Sequence, residues 1–360
     1  MVKPVERADM ARIVFSLVVI IISIGWSFTS DELARNPSPR DVRNKILKGI
    51  ELTILTDFEN AEKIYKGLIE EYPDEPIGYF YMAAVLQSEM LDREDFSQPD
   101  ICEDFIEKCV QKSKSLQKER DNDAWLLFYE GNAYLYRSFL KSKLGKWWGA
   151  YRDAGKGVNR LERTLELDST FYDVYLGIGS YKYWKSAKIK FLTWLPFVAD
   201  EREAGIEMVK KAIELGEYSK LIGRDQLAWI LLDAGRLEEA KKYALENYQA
   251  YPESRFFQWT LVEVLFRMKE WKDAYQNYNS LLHAERQIPD RNHYNEVECL
   301  LKMAEIDFES GNLSRADSLV TELLNVQMIP AVRERARSKL KKALKIRLEC
   351  VQLLSRENQP

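Results

Sequence analysis

Ala240, in Gly235-Arg-Leu-Glu-Glu-Ala-Lys-Lys-Tyr-Ala244, is matched 34 residues later by Ala274, in Lys269-Glu-Trp-Lys-Asp-Ala-Tyr-Gln-Asn-Tyr278. A period of this length belongs to a helix–turn–helix unit repeated along the chain. One such unit has too little apolar face to be stable alone, so each must stack on its neighbours. The expected fold is therefore an all-α solenoid, and the expected function lies in what its inner surface binds.

The chain has 360 residues, 46% hydrophobic and 31% charged, which is enough to bury a large core. Sixteen Gly and eleven Pro are few, and no Ser/Gly-rich or Pro-rich linker divides the sequence. The formal net charge of -4 gives no global argument for nucleic acid, whose binding surfaces are strongly basic.

Residues 1–30 are of another kind. Lys3, Arg7 and Arg12 precede an unbroken apolar run from Ile13 to Gly25 that ends among small residues, the pattern of a secretory signal. The run is shorter than the roughly 20 residues a spanning helix needs, so cleavage is expected rather than anchoring. If the run is retained, the basic residues keep the N-terminus inside and still export the rest. The expected location is the periplasm or cell envelope.

Cys102, Cys109, Cys299 and Cys350 show no disulfide framework. Cys102 and Cys109, seven residues apart on one helix, would have Cα atoms about 10.5 Å apart, beyond the roughly 4.4 to 6.8 Å of a disulfide. Buried small hydrophobes are the expected reading. With no Cys-x-x-Cys pair and only His283 and His293, no metal site and no cofactor is expected.

Further hairpins carry the same spacing: Ala61, Tyr65, Leu68 and Pro73 repeat the offsets of Ala240, Ala244, Asn247 and Pro252. With Ala274, Tyr278, Gly311 and Ala316, these residues resemble the tetratricopeptide-repeat family. The resemblance implies a right-handed α-solenoid of about seven hairpins in residues 31–330, followed by a capping helix and tail at 331–360. Insertions are expected near 92–100, 141–151 and 182–201. The terminal helix, Ala331 to about Ser355, is expected to turn outward a basic face containing Arg333, Arg335, Arg337, Lys339, Lys341, Lys342, Lys345 and Arg347.

The resemblance also assigns the inward positions of each first helix. They are Ile222, Asp225, Trp229 and Leu232; Phe256, Trp259, Glu263 and Phe266; Glu298, Leu301, Glu305 and Phe308. No Lys or Arg is among them, so the Lys, Asn and Arg clamp for a C-terminal carboxylate is missing. The expected partner is an apolar or basic protein segment, gripped by Trp229, Trp259, Phe256 and Phe266, with Asp225, Glu263 and Glu305 setting charge preference as solvated rim groups. Aromatic residues at this spacing also serve to pack against the next helix.

The segment 181–200 combines aromatics with four lysines, chemistry suited to a membrane surface. Trp184, Phe191, Trp194 and Phe197 would make that contact as an alternative to groove binding. A helical arm covering Trp147 and Trp148 is the competing expectation. Gly177, Gly179, Tyr181, Leu195-Pro196-Phe197, Arg202 and Gly205 are similar to a stretch of about thirty residues in the eukaryotic inclusion-body-clearance proteins, which transfers no binding residue. No phosphate loop, nucleophile elbow, His-Glu-x-x-His or dinucleotide fingerprint is present, so an enzyme is not expected.

Overall fold

The computed structural model describes residues 40–188, 199–216 and 219–357. The expectations for residues 1–30, and for Phe191, Trp194 and Phe197, lie outside the described residues. Within them the chain forms sixteen helices and no strand. Fourteen pair as hairpins: α1 (Arg40–Ile54) with α2 (Phe58–Glu71), α3 (Ile77–Asp92) with α4 (Pro99–Leu116), α5 (Ala124–Lys143) with α6 (Trp147–Leu167), and α7 (Val174–Lys188) with α8 (Arg202–Leu215). Then come α9 (Ser219–Asp233) with α10 (Leu237–Ala250), α11 (Arg255–Arg267) with α12 (Trp271–Gln287), and α13 (Tyr294–Glu309) with α14 (Leu313–Asn325). Two helices, α15 (Pro330–Arg335) and α16 (Arg337–Glu357), follow the seventh pair. This is an all-α repeat solenoid.

A single register runs through all seven second helices. Each buries a small residue followed by partners four and seven positions on: Ala61, Tyr65 and Leu68; Cys102, Ile106 and Cys109; Gly157, Leu161 and Thr164; Gly205, Val209 and Ala212; Ala240, Ala244 and Asn247; Ala274, Tyr278 and Leu281; Ala316, Val320 and Leu323. That spacing is one stripe of an α-helix. The small residue sits where the two helices of the hairpin come closest. A Cβ on Gly157 would lie 2.7 Å from the Gly131 carbonyl oxygen, and one on Gly205 would lie 2.5 Å from that of Gly179.

Five of the turns are alike. The residue two before the second helix is left-handed, with φ of 61° at Thr56, 73° at Gly145, 77° at Gly235, 61° at Lys269 and 79° at Gly311. The next amide donates back across the turn to Leu52, Lys141, Leu231, Leu265 or Asp307, closing the helix end as a Schellman motif does. Glycine meets this conformation without strain at three of the five positions.

The expected insertion at 141–151 takes another form. The turn at residues 144–146 is as short as the others, and the flanking residues extend the two helices. The 92–100 segment is a loop only from 93 to 98, since Asp92 ends α3 and Pro99 begins α4. The four cysteines are buried and free. Burial pushes the Cys102 thiol up to about 12, as expected of a small apolar filler rather than a nucleophile.

The chain divides into two compact units. Unit 1 ends at Leu91 and resumes from Phe96 to Tyr251; unit 2 takes Asp92–Asp95 and everything from Pro252. Asp92–Asp95 is tied into unit 2 by polar contacts. Arg255 reaches the Asp92 carboxylate at 2.5 Å, Asn295 donates to the Asp92 carbonyl at 2.7 Å, and Arg335 donates to the Glu94 carbonyl at 2.6 Å.

The terminal helix exposes Arg333, Arg335, Arg337, Lys341, Lys345 and Arg347 as expected, but draws in Lys339 and, in part, Lys342. It breaks at Ala336, and α16 buries Ala343, Ile346 and Cys350 against the last hairpin. Lys339 is only 8% exposed, while Leu344 and Leu348 face solvent at 53% and 60%. The reason is the helical period: Lys339 and Lys342, three residues apart on α16, lie on the side that meets the last hairpin, where they pair with Glu298 and Glu305.

Candidate functional site

The inner stripe of α11 in unit 2 is Phe256, Trp259, Glu263 and Phe266, spaced three or four residues apart on one helix face. Ser254 starts the helix by accepting from the Phe257 amide. Phe256 and Phe266 are half-buried; Trp259 and Glu263 are 9% and 5% exposed. The opposite stripe, with Phe257, Leu261 and Val264 at 2% or less, forms the core contact. Tyr278 of α12 joins the two layers, its ring edge-on to Trp259 and to Phe266 at 6.4 and 6.2 Å. Trp259 is thus an interior side chain with one edge at the surface, and the two phenylalanines are the more accessible part of the stripe.

The acidic side chains are not solvated rim groups. Glu263 accepts from Lys302 at 3.0 Å, from Arg267 at 3.0 Å and from the Tyr278 hydroxyl at 3.3 Å. Burial alone would raise its pKa, but Lys302 and Arg267 outweigh that and hold the carboxyl below its ordinary value. Lys302 also lies 4.1 Å above the Phe266 ring. Glu298 pairs with Lys339, and Glu305 with Lys342 at 2.8 Å. Burial nevertheless raises the Glu305 pKa, because Lys342 and Lys302 only partly offset it. The inner face of unit 2 is therefore a ladder of mutually neutralised charges with Phe256 and Phe266 among them, which corrects the expectation of a net acidic groove.

In unit 1 the corresponding stripe of α9 is closed. Ile222, Asp225, Trp229 and Leu232 are between 1% and 3% exposed, so Trp229 and Asp225 are interior residues. The physical reason is packing, since aromatic side chains at this spacing fill the gap to the next helix. Trp184 of α7 is 5% exposed, edge-on to Tyr183 at 5.0 Å, and is likewise interior. Among the described residues no group of three His, Cys, Asp or Glu could hold a metal ion. No helix among them is long and apolar enough to cross a membrane.

No family model and no curated protein matches the sequence. Solved structures do match. The chain is similar to the crystal structure of the APC/C hetero-tetramer Cut9–Hcn1 with a TM-score of 0.52 and 14% identity, over 98% of this chain and 63% of that one. The chain has the tetratricopeptide-repeat fold. It is also similar to a thermophilic TPR protein of Thermus thermophilus, with a TM-score of 0.39 and 16% identity over 62% of this chain and 98% of that one. A tetratricopeptide repeat protein of Parabacteroides merdae matches with a TM-score of 0.39 and 12% identity, over 85% of this chain and 100% of that one.

Within the tetratricopeptide fold, the residues that sequence reasoning missed are the cations. Lys302 falls one position after inward Leu301, and Lys339 and Lys342 belong to a helix read as facing outward. The available signal was spacing: Glu298 and Glu305 are seven apart on α13, and the stripe of Lys339 and Lys342 on α16 has the complementary sign.

Proposed function

We propose that this protein is a non-enzymatic tetratricopeptide scaffold that binds a protein or peptide segment along the inner stripe of unit 2. The observation that carries the reading is the half-buried pair Phe256 and Phe266, set beside a cation–π contact within a neutralised charge ladder. Aromatic side chains partly exposed on a rigid helix suit an apolar segment, because binding energy concentrates in such anchors. The partner is expected to be apolar or of mixed charge rather than basic, since Glu263, Glu298 and Glu305 already have cationic partners. The residues proposed to make contact are therefore Phe256 and Phe266, with Trp259 behind them.

The reading is tested by capture from an envelope extract, comparing the chain with a Phe256→Ala/Phe266→Ala variant of equal helicity. A partner held at least about tenfold more weakly by the variant, as loss of anchor residues predicts, supports it. Equal retention rejects it. Cleavage of the apolar run between Ile13 and Gly25, proposed as part of export, is tested by N-terminal sequencing of the mature protein: a start beyond that run supports cleavage, and an intact Met1 rejects cleavage in favour of a retained anchor.

A further inference from the structure

The third hairpin is built differently from the other six. Elsewhere the second helix begins three residues before its buried small residue, as Phe58 precedes Ala61 and Leu237 precedes Ala240. α6 begins at Trp147, ten residues before Gly157. The seven extra residues are two more helical turns, about 10.5 Å of added length. This extension is rigidly held. Asp153, 1% exposed, accepts from Arg137 at 2.9 Å and from Lys141 at 2.7 Å, and the Ser138 hydroxyl donates to the Ala150 carbonyl at 2.7 Å.

What the extension presents is aromatic, whereas the exposed apolar residues of α16 are aliphatic. Trp147, Trp148 and Tyr151 are 63%, 79% and 60% exposed, three of the large hydrophobic residues most open to water. The Trp148 and Tyr151 rings stack at 6.0 Å. Lys146 and Arg152 flank them in exposed positions, and Lys188 of α7 lies 5.7 Å over the Trp147 ring. Between Leu144 and Asp153 the only carboxylate is Asp153, which is buried and paired. The arm therefore shows solvent aromatic rings and positive charge alone.

We infer that this arm docks the protein peripherally on an anionic lipid surface, with Trp147, Trp148 and Tyr151 at the headgroup level and Lys146 and Arg152 against lipid phosphates and carboxylates. Tryptophan and tyrosine favour that level because their rings are apolar bodies with a polar edge. Basic residues beside them gain from the negative surface potential. The side chains stand at the turn end of the third hairpin and are open to water. A protein partner would have to bring a cavity for two tryptophans, whereas a membrane interface accepts them without one. The inference is independent of the unit 2 reading and replaces Trp184, which is interior, with residues that water reaches.

The test uses the full chain carrying an environment-sensitive fluorophore on Gly155→Cys, a site with open space around its Cβ on the same helix. The four native thiols are buried. Vesicles of phosphatidylcholine with phosphatidylserine should shift the probe to the blue and shield it from an aqueous quencher. Partition should be roughly tenfold or more stronger than for phosphatidylcholine alone and should weaken with salt. The Trp147→Ser/Trp148→Ser variant should lose the shift while keeping its helicity. Vesicle binding without a probe shift would place contact elsewhere in the chain, including the apolar N-terminal run, and would overturn the inference. A concentration-dependent shift without lipid would overturn it by assigning the arm to contact between copies. An equal shift with soluble polyglutamate would overturn it by assigning the arm to an acidic protein segment.

Discussion

Glu263 shows how a single residue changed meaning between sequence and structure. Read along the helix it is an inward carboxylate with Arg267 four residues on; in the fold, Lys302 of α13 reaches it as well. Its folded-state pKa is depressed, so its contribution is present at neutral pH and is lost as pH falls below the ordinary carboxylate range. Lys302→Met is expected to cost about 3 kcal/mol at neutral pH, because it leaves a buried carboxylate with one partner removed. That deficit should shrink in denaturant titrations below about pH 5, where Glu263 can protonate in the variant. A deficit independent of pH would mean that Lys302 acts by packing alone. Turn residues give a second, smaller test. Gly235→Ala should lower stability by about 1 kcal/mol and Lys269→Gly should raise it by a similar amount, since both positions are left-handed. Opposite shifts in the denaturant midpoint would support the shared turn, and shifts of the same sign would contradict it.

At the scale of elements, the closest helix approaches fix the hairpins. Gly205→Val would push Cβ and two methyl groups into the Gly179 carbonyl and Tyr183, and overpacking of this kind costs about 1 to 3 kcal/mol. The effect should appear as a lowered Tm with retained helix content. An unchanged Tm would mean that α7 and α8 separate without penalty. The terminal helix offers a contrast between faces. Ala343→Asp, at 0% exposure beside the last hairpin, is expected to cost about 3 kcal/mol or more. Leu344→Glu, one residue on and 53% exposed, should stay within about 0.5 kcal/mol of the unaltered chain. Similar losses for the two would show that the helix is rotated from the orientation described.

Across the whole molecule, the hairpin order was legible because a repeated stripe recurs in every second helix. Ala61, Ala240, Ala274 and Ala316 are unmistakable, and Cys102, Gly157 and Gly205 fill the same place once the register is known. The added turns of α6 were legible only as an insertion. Sequence spacing records that residues are extra, but not that Arg137, Lys141 and Asp153 bind them into helix. The binding face was legible less fully. Its positions on α11 come from the family resemblance, whereas their exposure depends on α12, and their charge balance depends on Lys302 of another helix. Such contacts between helices leave no mark in a single helix's pattern. The account's central claim is that a protein segment lies along the inner stripe of unit 2. It is tested most directly by a photo-crosslinking residue placed at Phe266 and, in a separate chain, at the exposed Asn279 of α12. The account predicts a discrete crosslinked partner from position 266 and none from 279; equal crosslinking at both, or crosslinking from 279 alone, would contradict it.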